Sequence, residues 1–117
     1  MPARKDIVTR EILIGFWKVH ILHHAGEGPI YGQWIAEELR HHGYNISPGT
    51  LYPMLKRMES NGWLKSTLPH NAPAHARKEY TLTREGRKIL AFLRTQVKEL
   101  HHEVIEEKYE GKTRKHD

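Results

Sequence analysis

The stretch SPGTLYPMLKRMESNG, residues 47–62, decides how the chain is read. Leu51, Leu55 and Met58 return to one side at helical spacing, so the segment predicts a helix with one buried stripe. Pro48, Gly49 and Pro53 all weaken helices, and all fall in its first two turns. Ser47 is placed as N-cap, and Pro48 takes the first helical position, where a missing N–H costs nothing. Asn61-Gly62 closes the segment. Pro53 is the difficulty, because it has no N–H and its ring crowds the carbonyl of Gly49. Propensity ends the helix at Tyr52, whereas the apolar face carries it on. The second reading needs a bent or tightened first turn that presents Gly49, Thr50 and Tyr52 outward.

Elements on either side give this helix its setting. From about Asp6 to His24 apolar residues are so dense that the first helix must be covered on more than one side. GEGP, residues 26–29, breaks the chain, and a second helix starts near Tyr31 and ends at Gly43. After residues 47–62, WLKSTL (63–68) and RKEYTLT (77–83) predict two short strands, the second alternating through Tyr80 and Leu82. PHNAPAHA between them reads as an exposed hairpin tip. Thr83 caps a long final helix, with Glu85 in its first turn, where a negative charge suits the helix dipole. Leu90, Leu93, Val97, Leu100 and Val104 repeat along it at spacings of three and four, an a/d seam of about two heptads. The expected fold is mainly α with a small β-hairpin wing. Residues 1–83 form a winged helix-turn-helix (wing 63–83), 84–110 a dimerisation helix, and 111–117 a frayed tail.

Charge narrows the function. The net charge is +5, and its excess sits in the middle: residues 40–88 carry nine Lys/Arg against three Asp/Glu, while the flanks are balanced. A basic centre points to a polyanion-binding face. There is no cysteine, which excludes disulfides and thiolate metal sites and suits a reducing cytoplasm. No stretch approaches about 18 apolar residues, so a membrane partner is not expected. No phosphate loop, nucleophile elbow or paired carboxylates stand out, so no enzyme activity and no cofactor is expected.

YG at residues 31–32, SPGTLYPMLKRMESNGWL at 47–64 and RKEYTLTREGRKIL at 77–90 resemble the signature blocks of PadR-type transcriptional regulators, over roughly Ile12 to Leu93. The resemblance implies a homodimeric winged-helix repressor, joined through its last helix and often relieved by a small-molecule effector. The short ending is similar to the compact branch of that family. In one compact group, tryptophans on the dimerising helix stack planar drugs. Trp17, Trp34 and Trp63 all lie elsewhere, so that activity is not expected of this chain.

With Leu51, Leu55 and Met58 inward, the third helix offers Gly49, Tyr52, Pro53, Lys56 and Ser60 to a major groove, flanked by Thr50 and Arg57. Lys56 and Arg57 can reach phosphates or base edges, Tyr52 can bond a phosphate or pack on a thymine methyl, and the N–H groups around Ser47 to Thr50 suit a phosphate. The DNA-binding set is therefore Ser47, Gly49, Thr50, Tyr52, Lys56 and Arg57, with Arg77 and Lys78 from the wing and Tyr31 from the YG block. Pairing through Leu90, Leu93, Val97, Leu100 and Val104 predicts an inverted-repeat operator, with recognition helices roughly 34 Å apart. Phe16, Trp17 and Phe92 are the candidate effector contacts. Two other functions fit the same fold: a protein-interaction adaptor, and a metal-responsive regulator using some of the ten histidines. His20, His23 and His24 share one helix face and His41-His42 end the next, but with no acidic ligand of evident geometry no metal site is expected.

Overall fold

The structure, a computed structural model, describes residues 7–69 and 78–107. Helix α1 (Ile14–Glu27) continues a π-helical turn at Thr9–Leu13 and is followed by a two-residue strand, β1 (Ile30–Tyr31). Helices α2 (Gly32–His41) and α3 (Pro48–Ser60) come next, then β2 (Leu64–Thr67), β3 (Glu79–Leu82) and the long α4 (Arg84–His101), which runs into a second π-helical turn at His102–Glu106. The strands form one antiparallel sheet in the order β1-β3-β2, with Ile30 opposite Tyr80 and Leu64 opposite Leu82. This is the winged helix-turn-helix expected, with β1 as an additional strand.

Helix α3 continues through Pro53. Its first turn is tightened: the Ser47 carbonyl accepts from both Thr50 N (3.0 Å) and Leu51 N (2.9 Å). An interior proline costs about 3 kcal/mol. Against that, Leu51, Met54, Leu55 and Met58 are all buried, each contributing roughly 1.5–3 kcal/mol, so burial wins. Met54 extends the buried stripe beyond the three residues expected. Ser47 stands at the N-cap position, but its hydroxyl donates to Thr50 Oγ1 at 3.2 Å rather than accepting from a backbone N–H.

Helices α2 and α3 end alike. Tyr44 N bonds Leu39 O and Gly43 N bonds Arg40 O; Trp63 N bonds Met58 O and Gly62 N bonds Glu59 O. Gly43 and Gly62 sit at φ 91° and 85°, the left-handed residue that this terminating motif requires. Helix α1 runs past the expected stop at His24 to Glu27. Gly26 does not break it and packs closely against β3 and α4, where a Cβ would lie 3.3 Å from Leu82 Cδ2 and 3.4 Å from Leu90 Cδ2. The chain turns instead at Gly28-Pro29.

Thr83 caps α4 as expected, its Oγ1 accepting from Gly86 N at 2.8 Å. The same hydroxyl donates to Gly62 O at 2.5 Å, and Thr83 N donates to Trp63 O, so the end of α3 is tied to the start of α4. Ser66 Oγ donates to Glu59 Oε2 at 2.6 Å and fixes β2 against α3. Ile21, Ile35, Leu39, Leu55 and Leu64 form the centre of one core shared by all four helices and the sheet.

Leu90, expected on the dimer seam, lines the same groove as Val97, Leu100 and Val104 but at its inner end. It is only 4% exposed, packed into the core of its own chain beside Gly26. Beyond Leu93, α4 and the π-helical turn that follows it leave the core: Val97, Leu100, Val104 and Ile105 are all exposed. The radius of gyration is 17.2 Å, against about 13 Å for a compact chain of this size, as a projecting helix requires. The expected frayed tail at 111–117 and the last residues assigned to the final helix lie outside the described residues.

Candidate nucleic-acid interface

The residues chosen on α3 share its solvent side. Ser47, Gly49, Thr50, Tyr52, Lys56 and Arg57 are all exposed, as are Pro53 and Ser60. Burial of Leu51, Met54, Leu55 and Met58 on the other side is what turns this row outward. Gly49 is informative because the chain does not need it: its φ is not positive, and a Cβ there would meet nothing nearer than Ser47 Oγ at 3.9 Å. Gly32 is the opposite case, since a Cβ would lie 2.5 Å from Tyr52 Cε1. The start of α2 therefore supports the ring of Tyr52 on α3, and the YG and LYP segments of the sequence are two sides of one contact.

Tyr31 precedes α2 and is half-buried, with its hydroxyl donating to Glu79 Oε2 at 3.4 Å. That places it in the sheet, beside α3's support rather than in the exposed row. On the wing, Lys78 is exposed at the foot of β3, while Arg77 and the tip residues His70, Asn71 and His75 lie outside the described residues. Lys65 on β2 was not singled out from the sequence, yet it is exposed in the alternation that buries Leu64. The period-two pattern of WLKSTL was the available signal. Among the described residues, Lys56, Arg57, Lys65 and Lys78 make no salt bridge. Uncompensated cations on the third helix and the hairpin leave a field that a polyanion can neutralise.

The three candidate effector residues do not converge. Trp17 is buried, edge-on to Tyr44 at 5.7 Å between centroids, and its indole N–H has no acceptor among the described residues. It is a core residue because α1 turns that face to the inside of the domain. Phe16 lines an apolar groove between α1 and α4, together with Val19, Val97, Leu100 and Val104. Phe92 is exposed and does not line that groove. Ile105 does line it, and the wide π-helical turn at His102–Glu106 accounts for a position that a regular heptad leaves out.

The histidines are arranged more closely than their spacing suggested. His20, His24 and His42 each offer a ring nitrogen within 4.8 Å of the others, and Glu38 lies beside two of them. Burial, followed by the neighbouring His42, His24 and His23, pushes His20 below the ordinary imidazole value, with Glu38 opposing.

Among the described residues, no helix is long and apolar enough to cross a membrane. Residues 21–92 match the PadR-like family of transcriptional regulators. The chain is 43% identical over 88 residues to the transcriptional regulator Rv3488 of Mycobacterium tuberculosis, covering 75% of this chain and 81% of the relative. A PadR family regulator from Eggerthella lenta superposes with a TM-score of 0.70 at 34% identity, covering 89% of this chain and 94% of the other. A PadR-like regulator from Bacillus cereus does so with 0.70 at 27% identity, covering 80% and 92%. The chain, with its winged helix-turn-helix and its outward-facing third helix, belongs to the PadR-like family of transcriptional regulators.

Proposed function

We propose that the chain acts as a homodimeric repressor that binds an inverted-repeat operator, with α3 in the major groove and the hairpin as a wing along the adjacent backbone. The observation that carries this reading is the exposed row from Ser47 to Arg57, with cations that no carboxylate among the described residues pairs. Lys56 and Arg57 reach bases or phosphates, Tyr52 and Thr50 donate hydroxyls, and Gly49 lets the start of α3 approach the backbone closely. Lys65, Lys78 and Arg77 add sequence-independent affinity from the hairpin.

The dimer uses the exposed stripe of Val97, Leu100, Val104 and Ile105, together with Phe16 at the opposite edge of the groove. Leu93 borders this stripe, and Leu90 supports it from inside. A projecting helix with half-exposed valines and leucines is poorly stable alone, and a second copy covers it. Relief of repression by a small apolar effector fits the same groove, where Phe16 is the aromatic contact. The expected setting is the cytoplasm.

Footprinting on the DNA flanking the gene tests the reading. Two protected half-sites with two-fold symmetry, roughly 34 Å apart, are expected. Protection of a single half-site would overturn the two-fold dimer on its operator, and retention of a protein partner after nuclease treatment and high salt with no footprint would favour an adaptor instead.

A further inference from the structure

We propose that His20 and His24 of α1 and His42 at the end of α2 form a binding site for a divalent transition-metal ion of the zinc class. The three ring nitrogens all lie within 4.8 Å of one another. Tetrahedral Zn–N bonds of about 2.0–2.1 Å place ligand nitrogens about 3.3 Å apart, so modest rotations of the rings complete the set. His20 and His24 are one turn apart on α1, their rings near parallel at 14° with centroids 6.5 Å apart. His42 comes from a second helix, its ring centroid 4.9 Å from that of His20. Ligands from two elements give the ion a fold-dependent site rather than a chance chelate on one helix.

Glu38 supplies the supporting carboxylate. Its Oε2 is 3.3 Å from His42 Nε2 and 3.6 Å from His24 Nε2. A carboxylate that accepts from the second nitrogen of a ligating imidazole fixes the tautomer and raises basicity. Tyr44 stands edge-on to His20 at 5.7 Å and Trp34 edge-on to His24 at 5.3 Å, walling the cluster on two sides. Burial and the neighbouring imidazoles disfavour the charged form of His20. A second grouping, His23, His24 and Glu27, lies within the same limit but on α1 alone. His23 there is also engaged by Arg94, whose guanidinium is 3.4 Å from His23 Nδ1. The two groupings share His24, so one ion occupies one of them.

A bound ion pins α2, the first helix of the helix-turn-helix, to α1, which lies against α4. Any effect of this on operator affinity rests on the function proposed above; the binding of the ion does not.

The test uses the full chain without an affinity tag, stripped with chelator, titrated with Co²⁺ by absorbance and with Zn²⁺ by calorimetry. One ion per chain is expected at this site, with the visible bands of a four-coordinate ion held by three imidazole nitrogens and one solvent molecule. His20→Ala and His42→Ala should each weaken binding beyond the roughly 10–100-fold typical of removing a supporting residue, and Glu38→Gln should fall within that range. His23→Ala and His41→Ala should keep the wild-type affinity. His42 is exposed, so its variant is expected to fold, and thermal melts of each variant confirm folding independently. No saturable binding, or binding that His42→Ala leaves unchanged, overturns the assignment. Loss on His23→Ala with His42→Ala unaffected also overturns it, in favour of the single-helix grouping.

Discussion

A Cβ on Gly32 would lie 2.5 Å from Cε1 of Tyr52, so the first residue of α2 must be glycine for the Tyr52 ring to rest where it does. Tyr52 remains 44% exposed, so the contact positions the ring without burying it. Gly32→Ala is expected to push the ring outward at a stability cost of about 1 kcal/mol, the low end for overpacking, because an exposed ring can swing away. Operator affinity should fall with it. In a Tyr52→Ala background the same change should cost little, and a double-mutant cycle of thermal melts and DNA titrations measures that coupling.

Gly49 gives the sharper separation of fold from function. Nothing in the chain opposes a methyl there, and alanine is the better helix former by up to about 1 kcal/mol. Gly49→Ala should therefore leave the melting temperature unchanged or raised while weakening DNA binding. A variant that binds DNA as well as wild type would show that the start of α3 does not approach the backbone closely.

Lys56→Ala and Arg57→Ala should lower operator affinity while the dimer stays intact by sedimentation. For each DNA phosphate that a variant no longer neutralises, the slope of log affinity against log salt should shrink by about 0.9. A residue that reads a base edge would instead relax discrimination between operator sequences, at about 1–3 kcal/mol.

Leu90 and Val97, both on one face of α4, are expected to behave differently. Leu90→Ala opens a cavity in the core and should cost about 2–5 kcal/mol. Val97→Asp lies on the exposed stripe and should dissociate the dimer with little loss of monomer folding, as read by sedimentation and circular dichroism. If Val97→Asp stays dimeric, the stripe is not the interface.

Thr83→Ala removes the hydroxyl that caps α4 and holds Gly62 O. Loss of an N-cap costs typically about 1 kcal/mol, and the tie from Thr83 to Gly62 O is lost with it. Chemical denaturation should show a drop of about 1–2 kcal/mol with the folded structure retained.

Much of this fold was legible because the signals are local. Ser47-Pro48 and Asn61-Gly62 mark the ends of α3, Gly43 ends α2, and Thr83 opens α4, each through backbone chemistry confined to one turn. What was not legible depends on contacts between distant segments. The strand at Ile30–Tyr31 is only two residues long and exists because β3 offers it an edge. Gly26 looks like a breaker until Leu82 and Leu90 are brought against it. Leu90 obeys the heptad spacing of the seam and is covered by its own chain, since spacing fixes a face of a helix but not what covers it. The histidines show the same limit: His20 and His24 were evident as an i, i+4 pair, whereas His42 and Glu38 join them only when α2 packs on α1. The outward row on α3 was legible because burial of its opposite side follows from the apolar period alone.

The measurement that bears most directly on the proposed role is a pair of titrations of the full chain, one against a duplex from the DNA flanking its gene and one against a scrambled duplex of equal length. Both are followed by fluorescence anisotropy across a range of salt. Specific binding should be at least about 10³-fold tighter on the genuine site, should fall steeply as salt rises, and should drop for Lys56→Ala. Equal affinity for the two duplexes, or no binding to either at low salt, would contradict α3 as a sequence-reading helix.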